Sequence, residues 1–263
     1  MIATAVAIGL GVGVVLGGLG GGGSVLTVPA LVFLLGEPPH RAATASLVIV
    51  GISSMIGLLA RARAGEVRWV SGLGFGAIGA LTAVGGTVLS RSLNPHVLLL
   101  AFAALTLLAA FFMLRRAPEP APAPSPSEGV LGTVQRTRHV TRSAKIVPVG
   151  AVVGLATGLF GVGGGFLVVP ALVVALSWPM PIAIGTSLLV IVVNSAASLS
   201  VRIATEPLDW RVIIPVTLAA VIGTLLGKTF ADRVSTTSLS RAFAALLVAV
   251  AAYTATTSLI ALL

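Results

Sequence analysis

Eight long apolar runs limit what this chain can fold into. They lie near 2–35, 42–60, 69–90, 97–114, 146–178, 182–201, 211–230 and 239–263, separated by charged or proline-containing breaks. Most are about the length an α-helix needs to cross roughly 30 Å of hydrocarbon, and none alternates like a barrel strand. A soluble domain carries about 25% charged residues. This chain carries 9%, at a mean hydropathy of +1.11, so most of its surface faces lipid. The expected fold class is all-α, a polytopic helical membrane protein. Its net charge of +9 sits in short basic clusters between the runs, the pattern of cytoplasmic loops rather than of a nucleic-acid-binding face. With no cysteine, disulfides and thiolate metal sites are excluded. The N-terminal run lacks a basic leader and is expected to be the first membrane helix, not a cleaved signal.

The first and fifth runs are too long for one straight span. Glycines interrupt them at 20–23 and 161–165, so each is expected to form two shorter helices meeting at a break. Between them, 115–145 begins RRAPEPAPAPSPSEG and continues with Arg136, Arg138, Arg142 and Lys145. Alternating proline gives an extended, solvated linker, and its charge places it on the cytoplasmic side. The expected organisation is a first membrane repeat, 1–114, the Pro-rich basic linker, 115–145, and a second membrane repeat, 146–263. The halves match at an offset of 141: thirteen of the 24 positions from Gly9 to Val32 recur from Gly150 to Val173. Composition alone would give about two or three matches. Arg61 then matches Arg202 and Trp69 matches Trp210, while Thr44 and Thr186 match after a slip of one.

A duplicated helical half is the plan of many secondary transporters. Lys and Arg counts favour inverted halves, with twelve inside against four outside. Parallel halves give eleven against five, so that arrangement stays open.

Unwound backbone at membrane depth is tolerated only inside protein or along a cavity, so each break predicts a cavity. A helix restarting near Ser24 or Gly165 directs free N–H groups and its positive dipole end there, which suits an anion. The candidate binding residues are Gly20, Gly21, Gly22, Gly23, Ser24 and Thr27 in one half and Gly161, Gly163, Gly164 and Gly165 in the other. Thr44, Thr186, Ser187 and Asn194, on the next crossing of each half, join them. The alternatives are a packing kink for the glycines and interhelical hydrogen bonds for Ser, Thr and Asn194. The four-spaced glycines before each break are expected to let another helix approach closely. Arg61 and Arg202 either snorkel to the interface or draw anions inward. His40, His96 and His139 read as loop residues without metal-ligand spacing, and no metal or cofactor is expected. All seven acids lie in loops or at run ends, which disfavours a proton pump or a membrane hydrolase. At about −100 mV, each negative charge leaving the cell gains roughly 2.3 kcal/mol, enough to drive export without a coupling ion.

The segments GGLGGGGSVLTVPALV and GLFGVGGGFLVVPALV precede a Thr-containing crossing and a basic turn with Trp69 or Trp210. Together they resemble the TauE/SafE family of sulfite exporters, also called the toluene sulfonate uptake permease family. The resemblance covers both halves, with Pro29 and Pro170 in its motifs, and Ser24 departs from the symmetric glycine. It implies a multi-pass transporter in a prokaryotic cytoplasmic membrane that moves a small sulfur-containing anion, such as sulfite or an organosulfonate, usually outward. An anion channel, or a carrier for another small organic anion, is the alternative. Lipid and the anion are the expected partners, nucleic acid is not, and the oligomeric state is open, a homodimer included.

Overall fold

The computed structural model describes residues 2–90, 95–115, 147–157, 159, 165–202 and 208–260. Gly161, Gly163, Gly164, His139 and nearly all of the linker lie outside them. Every regular element among the described residues is helical. In chain order these are α1 (Ile2–Leu19), α2 (Gly22–Leu35), α3 (Pro39–Ala62), α4 (Trp69–Ser90), α5 (Pro95–Arg115) and α6 (Val147–Thr157). They continue with α7 (Gly165–Pro170), a π-helical turn Ala171–Ala175, α8 (Met180–Arg202), α9 (Trp210–Ala231) and α10 (Thr236–Ile260). The first run divides at Gly20 and Gly21, as expected. Helices α3, α4, α8, α9 and α10 are each long and apolar enough to cross a membrane.

Local chemistry sets the ends. Proline opens α3 and α5, where its missing N–H is no loss and its φ is already helical. His40 and His96 therefore stand in first helical turns, which corrects the expectation of loops. Gly36 ends α2 at φ 72°, its N–H donating to the Val32 carbonyl while Glu37 donates to Leu31. Asp209 Oδ1 caps α9 by accepting the Arg211 N–H at 2.9 Å. Pro170 has no N–H for the preceding turn, and the chain widens after it into the π-helical turn.

Glycine decides how the helices pair. In lipid the hydrophobic effect does little between helices, so close backbone packing has to hold them. A Cβ at Gly9, Gly13 or Gly17 of α1 would strike the carbonyl of Val216, Ala220 or Thr224 on α9, and Gly223 and Gly227 are equally closed from the other side. The two helices thus run parallel in contact. On the other flank, Gly150 and Gly154 of α6 abut Phe75 and Gly79 of α4. The offset of 141 carries Val216 to Phe75 and Ala220 to Gly79, so both contacts are one contact made twice. Each half lays its first helix on the other half's helix.

Between these flanks α3 packs on α8. Gly51 faces Ser195 and Gly57 faces Leu188, so the two run antiparallel. Further out α5 lies on α10, and α2 touches α7. Val70, Leu81, Phe33, Leu218 and Phe230 turn outward, an apolar exterior suited to acyl chains.

Candidate functional site

The first glycine break meets Gly165, where the described chain of the second half resumes. A Cβ at Gly21 would overlap the Gly165 carbonyl, and one at Gly165 would lie 2.9 Å from Ser24 Oγ and 2.8 Å from Ile191 Cδ1. Gly20 takes φ +73°, a left-handed conformation that costs an L side chain about 1–2 kcal/mol. Its Cβ position lies 2.7 Å from Ser187 Oγ. The start of α2, the start of α7 and the Ser187 face of α8 therefore converge. Gly21, the N-cap of α2, supplies no side-chain cap to the first N–H groups of that helix. Ser24 is buried and donates to the Gly21 carbonyl at 2.7 Å; Ser187 donates to Ile184 at 2.7 Å. Both hydroxyl oxygens keep their acceptor lone pairs, and each returns its proton to its own helix.

The remaining candidates fall around this contact. Gly23 faces α1, its Cβ position 2.7 Å from Leu16 Cβ and 2.8 Å from the Val12 carbonyl. Thr27 is buried and donates to the Gly23 carbonyl at 2.9 Å. Gly22 lies in the first turn of α2. Thr44 and Thr186 are both fully buried. Thr186 Oγ1 accepts the Arg68 N–H at 3.2 Å, which ties it to the turn before α4. Asn194 has a buried side-chain oxygen with no partner. Arg202 ends α8.

Arg61 corrects the snorkelling alternative. It is 1% exposed rather than reaching for the interface. Its Nη1 donates to Glu66 Oε2 at 2.7 Å, and its Nη2 donates to the Gly17 carbonyl at 2.8 Å. That carbonyl belongs to the last turn of α1, where the approaching break removes intrahelical donors and the helix dipole is negative. Arg61 is thus a cap supplied from another helix, and its Nε remains buried without a partner. The turn that follows closes over α8. The Glu66 carbonyl abuts Gly185, and the Arg68 guanidinium stands 4.8 Å above the Trp178 ring. Arg61 and Glu66 straddle a helix end, so regular helical spacing does not reveal the pair; an Arg five residues before a Glu at a helix C-terminus was the available signal.

Repeated halves, an apolar exterior and a first glycine break packed against Gly165 in the interior fit a multi-pass helical membrane protein of the transporter class. The family model described as "Sulfite exporter TauE/SafE" matches residues 5–254, and the chain belongs to that family. It is 35% identical over 246 residues to a "Probable membrane transporter protein" of Xylella fastidiosa, covering 92% of this chain and 90% of the relative. It is 24% identical over 243 residues to "Probable membrane transporter protein YunE" of Bacillus subtilis, covering 88% and 89%. No solved structure matches. The protein is a membrane transporter.

Proposed function

We propose that this transporter moves a small sulfur-containing anion, sulfite or an organosulfonate, outward across the cytoplasmic membrane of a prokaryote. The observation that carries the reading is the meeting of Gly21 and Gly165 beside Ser24 and Ser187. Glycine there lets backbone approach backbone, the α2 N-terminus brings a positive dipole end, and no carboxylate of the described helices opposes it. Sulfur specificity rests on the family's printed description.

Inverted halves, with the site at their interface and the 115–145 linker in the cytoplasm, complete the reading. Antiparallel packing of the equivalent helices α3 and α8 supports inversion, because parallel halves would place equivalent helices in the same sense. Alternating access then follows from rocking one flank against the other.

The test is current from proteoliposomes on a solid-supported membrane during jumps of sulfite, sulfoacetate, taurine, sulfate and chloride. A saturable negative-charge current for one sulfur anion, lost in Gly165→Val protein that still elutes monodisperse, is the expected result. A current that rises linearly with concentration would make the protein a pore. Equal currents for all five anions would remove the sulfur assignment.

A further inference from the structure

Among the described residues Arg61 is the one charged side chain that is buried. A guanidinium out of water needs an anionic partner, and a pair built for rigidity sets two N–H groups against both carboxylate oxygens. Here the countercharge comes through a single bond, from Nη1 to Glu66 Oε2 at 2.7 Å, while Nη2 is held by the Gly17 carbonyl at 2.8 Å and Nε is buried with no partner. The two members of the pair are unequally enclosed. Arg61 is sealed, whereas 22% of the Glu66 side chain reaches solvent. The carboxylate can leave for water and the guanidinium cannot, so a departing Glu66 calls for another anion in its place.

The pair stands beside the glycine break. The Gly20 N–H donates to the Leu16 carbonyl at 2.8 Å, so the Gly17 carbonyl that Arg61 caps lies within one turn of Gly20. One turn of α8 faces both ways. Toward Gly20 it presents Ile184 and Ser187, 3.2 Å and 2.7 Å from the Gly20 Cβ position; toward residues 63–68 it presents Gly185, against the Glu66 carbonyl, and Thr186, which accepts the Arg68 N–H. Residues 63–68 therefore form a strap behind the turn of α8 that meets the break. Arg61 joins that strap to the end of α1, and Arg68 joins it to α8 and, through its guanidinium, to the Trp178 ring.

We propose that Arg61 carries the countercharge of the transported anion and that Glu66 holds its place when no anion is bound. An incoming oxyanion displaces Glu66 from the guanidinium, where Nε is a donor still free. Glu66 moves into water with the strap, and its return expels the anion. The buried charge stays paired throughout, so the strap does not open without cargo. The donor set selects that cargo: N–H groups on a fixed planar cation suit an anion with two or more oxygens and reject a cation. The proposal rests on the anion reading, although not on sulfur, since sulfite, a sulfonate or a carboxylate satisfies the same guanidinium.

The experiment pairs thermal melting of the detergent-purified full chain with currents from proteoliposomes, each titrated with sulfite, sulfoacetate or acetate against chloride at constant ionic strength. Wild type is expected to show a saturable rise in midpoint. Glu66→Gln, less stable without ligand, is expected to bind more tightly: its half-saturating concentration falls about fivefold or more while its maximal current drops, because no carboxylate returns to expel the anion. Loss of a merely structural brace would weaken binding or leave it unchanged. Arg61→Met with Glu66→Gln leaves no buried charge and is expected to remain monodisperse and lose the response; Glu66→Gln decides by itself where that double variant fails to elute. An unchanged or higher half-saturating concentration in Glu66→Gln overturns the exchange, and an intact response in the double variant overturns Arg61 as the countercharge. Wild type still responds in both cases, and the anion reading stands. Acetate giving the full pattern keeps the exchange and removes the sulfur assignment. Silence of wild type and Glu66→Gln toward every anion removes the anion reading and this proposal with it.

Discussion

Glu66→Gln tests the claim that Arg61 is a buried cap and not an interfacial anchor. The ion pair measures 2.7 Å, with side-chain exposures of 2% for Arg61 and 22% for Glu66. Removing one partner of a buried pair costs about 3–5 kcal/mol, because the other charge is left uncompensated. Gln retains one acceptor for Nη1, and Glu66 is partly wetted, which lowers the expectation to about 2–4 kcal/mol. At roughly 2 °C per kcal/mol for a chain of this size, the melting midpoint falls by about 4–8 °C. The assay is intrinsic fluorescence of the three tryptophans in detergent during heating. Lys228 and Asp232 supply the control: they pair at the same 2.7 Å with exposures of 19% and 43%. Asp232→Asn is expected to cost no more than about 0.5 kcal/mol. The double variant Arg61→Met with Glu66→Gln should lose less than the two single losses added, since it leaves no charge behind. Equal, small shifts for Glu66→Gln and Asp232→Asn would refute the buried-cap argument.

Three further outcomes are expected. Gly13→Ala should destabilise by about 1–3 kcal/mol, because its Cβ meets the Ala220 backbone, while Gly11→Ala, with nothing within 4 Å, should be neutral or gain up to about 1 kcal/mol; paired melts decide. Gly20→Ala should reduce transport severely while lowering stability by about 1–2 kcal/mol, because the left-handed turn sets the contact of Gly21 with Gly165; wild-type flux in proteoliposomes would disprove it. The chain has no cysteine, so single substitutions report sidedness cleanly. Inverted halves predict that Ala64→Cys and Arg233→Cys label from the cytoplasm and Arg211→Cys from outside, whereas parallel halves exchange the last two.

What could be read from the sequence follows from how local the cause is. The division of the first run was legible because four successive glycines cannot hold a membrane helix unaided. Close approach at Gly9, Gly13 and Gly17 was legible from their spacing, but the partner was not: small residues say that a helix comes near, not which one, and α9 lies some two hundred residues away. The fate of Arg61 was hidden for the same reason, since the carbonyl it caps is 44 residues distant. Gly23 and Gly21 look alike in sequence, yet one faces Leu16 of its own hairpin and the other Gly165, because a helix turns about 100° per residue. His40 and His96 were misplaced because a membrane helix can extend past its apolar stretch when proline starts it.

The exchange of first helices between halves bears on how the chain is made. The glycine edge of α1 leaves the ribosome long before α9 exists to cover it, so the first half must wait in the bilayer with its closest-packing surface bare. Neither half is then a self-sufficient folding unit. A cut within the linker should leave two pieces that reassemble when synthesised together and are degraded when made alone.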